Sequence, residues 1–295
     1  MIRRRFNGTV DVLQLKDFAT QLRRDSLRMV HHAGAGHIGG SLGLADFMAV
    51  LYGYAMEFDT ENPDYINRDR IILSNGHTCP PWYAALARTG SIPLDELASF
   101  RKLGSRLQGH PARKSLPDFV ETSSGPLGQG FSVANGIALS QRLKGNKTRV
   151  YCIIGDGESQ EGQVWEAALT AAHYNLGSLT LFVNDNGLQI DGSTSEVMNV
   201  EPLDMKFASF GWNTRVIDGN DIESIVRELE NIDPNQGKPT VIVGKTLMGK
   251  GVSFMENRSA WHGSWPDAEQ LKTALREIGN SRYYTDFSIT EAENV

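Results

Sequence analysis

Two short apolar runs, Arg149 to Ile154 and Ser178 to Val183, each break off into a glycine-flanked polar turn. The first delivers Asp156 into Gly155-Asp156-Gly157-Glu158-Ser159-Gln160-Glu161-Gly162. The second delivers Asn186 into Asn184-Asp185-Asn186-Gly187-Leu188-Gln189-Ile190-Asp191-Gly192. Brief apolar runs bounded by turn residues read as buried strands. Arg70–Leu73, Asn213–Ile217 and Thr240–Lys245 read the same way. Between them lie helical patterns at Leu13–His32, Ser41–Phe58, Pro80–Thr89, Leu94–Phe100, Phe131–Leu143, Gln163–Tyr174, Pro202–Phe210 and Ile222–Asn231. That alternation predicts an α/β fold: a mostly parallel sheet with helices on both faces. Residues 1–280 form one domain in this reading, and 281–295, with Glu291, Glu293 and Asn294, an exposed tail.

In open parallel sheets, ligands bind at the carboxyl ends of the strands. Asp156, Asn186 and His77 each follow such an end. A lone Asp between glycines is ordinarily a turn former. Asp156 paired with Asn186 and the Leu188 carbonyl reads instead as a hard-oxygen site for Mg2+ or Ca2+. Gly34-Ala35-Gly36-His37-Ile38-Gly39 satisfies the dinucleotide pattern G-x-G-x-x-G, but a helix rather than a strand precedes it, so a nicotinamide cofactor is rejected. Gly125-Pro126-Leu127-Gly128-Gln129-Gly130 lacks the Lys-Ser/Thr ending of a nucleotide loop, although it leads into a helix N-terminus.

Four of the seven histidines sit beside glycine: His37, His77, His110 and His262. Imidazoles held where a ligand approaches can bind hydroxyls or phosphate and move protons near neutral pH. His31, His32 and His173 fall on helices and are read as structural. Glu161 serves equally as a helix first-turn residue or a functional carboxylate. Trp165, Trp212, Trp261 and Trp265 read as core or interface. A net charge of −6 gives a nucleic acid or anionic membrane no electrostatic support. No stretch reads as a membrane span. Cys79 and Cys152 have no zinc or disulfide spacing, which favours a reducing cytoplasm.

Together these motifs resemble the thiamine diphosphate-binding half of transketolase. The resemblance runs through Gly36–Gly40, Arg68–Arg70, Leu73–His77, Phe100–Gly104, Gly109–Pro111, Gly125–Gly130, Gly155 to Asn186, Lys245-Thr246 and Trp261–Gly263. It implies that Asp156, Asn186 and the Leu188 carbonyl hold Mg2+ or Ca2+, and that His77, Gly125, Gly157 and His262 contact the diphosphate. It implies further that Leu127 and Ile190 pack against the thiamine rings. His37, His110 and His262 would line the substrate channel, and Glu161 would lie where subunits meet. The implied reaction moves a two-carbon ketol unit from a ketose, or ketose phosphate, to an aldose.

Full-length members of the family are more than twice as long and carry a pyrimidine-binding domain that activates the cofactor. The expectation is therefore an N-terminal subunit that works only with a separate C-terminal, pyrimidine-binding chain, as a heterotetramer with two copies of each. The alternatives are other thiamine enzymes, of deoxyxylulose phosphate synthase or 2-oxoacid dehydrogenase type, and a non-catalytic thiamine-binding partner. Met248 lies in a stretch where animal relatives carry a cofactor-contacting Lys, which puts one diphosphate contact in question but not the site.

Overall fold

Four of the five apolar runs become strands buried from two sides; the fifth, at Asn213–Asp218, is a largely exposed edge strand with Val216 open to solvent. The computed structural model describes residues 2–3, 5–6 and 8–289. In chain order it contains β1 (Ile2–Arg3), α1 (Val12–Ala33), α2 (Ile38–Val50), β2 (Phe58–Asp59), β3 (Arg70–Leu73), α3 (Pro80–Arg88) and α4 (Gln129–Leu143). The central unit is β4 (Val150–Gly155), α5 (Gly162–His173) and β5 (Leu179–Asp185), followed by the small hairpin β6 (Leu188–Gln189) and β7 (Gly192–Ser193). Then come α6 (Thr194–Val197), α7 (Leu203–Ser209), β8 (Asn213–Asp218), α8 (Ile222–Glu230), β9 (Thr240–Lys245) and α9 (Ala268–Ile278).

Five strands form one all-parallel sheet in the order β3-β4-β5-β9-β8. Side chains alternate across a strand, and here the alternation feeds two separate cores. Ile71, Leu73, Tyr151, Ile153, Phe182 and Ile242 enter one core with α1, α2, α3 and α8. Ile72, Cys152, Ile154, Leu181, Val183 and Val243 enter the other, with α4, α5 and α7. Burial on both faces explains why these strands read as continuous apolar runs. In the β4–β5 pair Gly155 lies opposite Asn184, so the turns after the two strands emerge side by side.

Local rules set the helix ends. Asp11 caps α1 by accepting from the Gln14 N–H at 3.0 Å, and Gly34 closes it at φ 62°. Helix α2 starts at Ile38, earlier than the sequence suggests, and ends in a π turn, Leu51–Ala55. The expected helix at Leu94–Phe100 is a 3-10 turn, Asp95–Ser99. Residues 38–55 are, by length and composition, long and apolar enough to cross a membrane, contrary to the sequence reading; 89% of that stretch is buried within the protein, as in a core helix.

The carboxyl-terminal segment also departs from expectation. An Asp267–Gln270 capping box starts α9. Beyond it, residues 281–289 lie against α1 rather than hanging free. Phe287 is buried, Arg24 bonds the Asp286 carboxylate at 2.7 and 2.9 Å, and Arg28 donates to the Phe287 carbonyl at 2.7 Å. Glu291, Glu293 and Asn294 lie outside the described residues.

Candidate functional site

The turns after β3, β4 and β5 surround a cavity of about 210 Å³. His77 enters from the 3-10 turn after β3, Asp156, Gly157 and Glu161 from the turn after β4, and Asn186, Leu188 and Ile190 from the segment after β5. Leu127 and His262 complete the set of sequence-predicted residues in its wall. Gly125, at φ 150°, is not among the lining residues. His37 and His110 join through the histidine group instead. Ring centroids lie 5.2 Å apart for His37–His77 and His77–His262, and 6.0 Å for His37–His110 and His37–His262.

Asp156 is buried, and its Oδ2 accepts the Gly187 N–H at 2.8 Å. Asn186 Oδ1 accepts the Leu188 N–H at 2.9 Å. Burial, and then the nearby Asp185 carboxylate, push the Asp156 pKa up to about 7. Asp185 is itself tied to Lys245, which also reaches Glu201. Among the described residues no group of three or more His, Cys, Asp or Glu side chains is arranged to hold a metal. The Asp156 carboxylate, the Asn186 amide and Leu188 all lie in the cavity wall.

The imidazoles are held neutral. Burial, followed by the His262 ring and Arg101, brings His37 down to about 4. Burial also lowers His77, His110 and His262. His37 Nδ1, His262 Nδ1 and Asn75 Oδ1 are buried with no protein partner. Buried polar atoms are ordinarily satisfied, so the orphans on Asn75 and His262 in the cavity wall, with that of His37 in the adjoining histidine group, mark a place shaped for a polar ligand. Met248 is fully buried; a Cβ on Gly39 would lie 2.8 Å from its Cγ, so the side chain packs on α2.

Sequence reasoning passed over several members of this wall, including Asn75, Thr78, Asn184 and Gln189. The most consequential omission is Glu158. Burial pushes its pKa up to about 7, against hydrogen bonds from Ser74, Gly128 and Gly155. Its position two residues past Asp156 was visible in the sequence; Ser74 and Gly128, distant along the chain, were not visible as its partners. Glu158 also takes the Gly128 N–H at the start of α4, a donor expected to face a ligand.

Residues 15–293 match the family described as transketolase, thiamine diphosphate binding domain. The chain is 40% identical over 267 residues to the 6-deoxy-6-sulfo-D-fructose transketolase subunit SqwG of Clostridium sp. (strain MSTE9), covering 90% of this chain and 96% of that one. It is 38% identical over 273 residues to an apulose-4-phosphate transketolase subunit of Actinobacillus succinogenes, covering 92% and 98%. The transketolase of Campylobacter jejuni superposes with a TM-score of 0.87 at 34% identity; the match covers 96% of this chain and 45% of that longer one.

Proposed function

The chain belongs to the transketolase family through its thiamine diphosphate-binding domain, and from that premise we propose that it is the cofactor-anchoring subunit of a two-chain transketolase. The observation that carries this reading is Asp156. It is a buried carboxylate whose charged neighbour is another carboxylate, placed beside Asn186 by the register of β4 and β5. Such a group fits a divalent cation, and an amide and a carbonyl oxygen complete a hard-donor set that leaves positions for diphosphate oxygens and water.

In this reading Asp156, Asn186 and the Leu188 carbonyl hold Mg2+ (or Ca2+). His77, Gly125, Gly157 and His262 receive the diphosphate. Leu127 and the exposed Ile190 flank the thiamine rings. Thiamine diphosphate, when bound, supplies the electron sink for breaking a carbon–carbon bond beside a carbonyl. The protein's part is to bind, orient and move protons. His37, His110 and His262 face the sugar; the Nδ1 atoms of His37 and His262 are buried and have no protein hydrogen-bond partner. Neutral rings can take up a proton there and return it. Acidic Glu161, exposed at the cavity rim, points toward a second subunit.

The relatives named as subunits imply a partner chain. We assign that partner the pyrimidine-binding domain, with two copies of each chain in a cytoplasmic heterotetramer acting on sugars or sugar phosphates. The two buried free thiols are consistent with a reducing compartment. Calorimetric titration with thiamine diphosphate tests the reading. Binding that requires Mg2+ and is lost in Asp156→Ala is expected; metal-independent binding, or full affinity in the variant, overturns it.

A further inference from the structure

The Leu127–Gly128 peptide is gripped from both sides. Its carbonyl oxygen accepts from Gln163 Nε2 at 2.8 Å, and its N–H donates to Glu158 Oε1 at 2.7 Å. Glu158 Oε1 also accepts from the Ser74 hydroxyl, and Oε2 accepts the Gly155 N–H at 3.1 Å. One buried carboxylate therefore joins the end of β3, the end of β4 and the N-terminus of α4. Gly128 has φ 81°, and a Cβ there would lie 2.8 Å from Gln163 Cγ and 3.0 Å from Glu161 Cβ. The grip thus needs glycine at 128 both for its backbone and for the space. Leu127 and Asp156 face the same cavity from the two segments that Glu158 ties together.

We propose that Glu158 and Gln163 are positioning residues: they lock the Leu127–Gly128 peptide and so set the spacing between the Leu127 wall and the Asp156 turn before any ligand arrives. This rests on the reading of the cavity as the cofactor cradle. Neither residue reacts; both act by removing the freedom of a glycine loop that would otherwise have to be ordered on binding.

The test uses the full chain with two readouts: amide exchange of Gly128 without ligand, and calorimetric affinity for thiamine diphosphate with Mg2+. Glu158→Ala should speed Gly128 exchange by about tenfold or more, the loss of a hydrogen bond to a charged group. Glu158→Gln keeps an oxygen for Ser74 and Gly128, so its exchange should stay near wild type. Gln163→Leu, at a half-buried position, should weaken cofactor binding by about tenfold while leaving the melting temperature near wild type. It tests the same peptide even where Glu158→Ala fails to fold. Unchanged Gly128 exchange in folded Glu158→Ala, or wild-type affinity in Gln163→Leu, overturns the proposal. Absence of cofactor binding by the wild-type chain would instead count against the cradle, and exchange would still decide the lock.

Discussion

Replacing Asp156 with Asn should stabilise the ligand-free chain while removing a charged donor from the proposed metal site. Burial and Asp185 hold the Asp156 carboxyl at about 7, against 3.8 for the free group. About three units at 1.36 kcal/mol each set an upper bound of about 4 kcal/mol on the cost of ionising it in the folded chain. Water in the cavity reduces that, so about 2 kcal/mol is the working figure at pH 8. Asn keeps an oxygen to accept the Gly187 N–H and carries no charge. The sign follows from proton counts. Between pH 4 and 7 the folded wild type holds a proton that the unfolded chain has lost, so its stability falls as pH rises through that window. The variant lacks that loss. Urea unfolding with a chelator should show Asp156→Asn more stable at pH 8, with the advantage gone near pH 4. A variant less stable at pH 8, or an advantage independent of pH, would refute the reasoning.

The histidines act in the opposite direction. His37, lowered to about 4, leaves the folded chain short of a proton below pH 6.5, so stability should drop as pH falls from 6.5 toward 4. His37→Gln should recover about 1 kcal/mol of it in acid denaturation, after allowance for solvent screening. Phe287→Ala should cost about 3 kcal/mol in urea unfolding if residues 281–289 are part of the packed structure, and almost nothing if they hang free.

What the sequence disclosed, and what it hid, follows from how far apart the cooperating residues lie. The strands were legible because burial on both faces leaves an unbroken apolar run, as in Val150–Ile154. The start of α2 was not, because Gly39 and Gly40 read as loop formers. The lack of side chains here instead admits neighbours: a Cβ on Gly39 would lie 2.8 Å from the Trp261 carbonyl, and one on Gly43, inside the expected helix, 2.9 Å from that of Leu247. The placement of Asp156 and Asn186 was legible because each follows its strand directly. The orphaned Nδ1 atoms of His37 and His262 belong to the fold, and so does the Glu158 lock, whose partners sit at positions 74, 128 and 155.

The register of β4 against β5 has a consequence for assembly. Asp156 and Asn186 follow different strands and share one cavity wall because Gly155 pairs with Asn184. A slip of one residue would exchange the faces of every side chain on the strand and part the two donors. Under the proposed metal reading, a cation that needs both donors distinguishes a correctly paired sheet from a mispaired one.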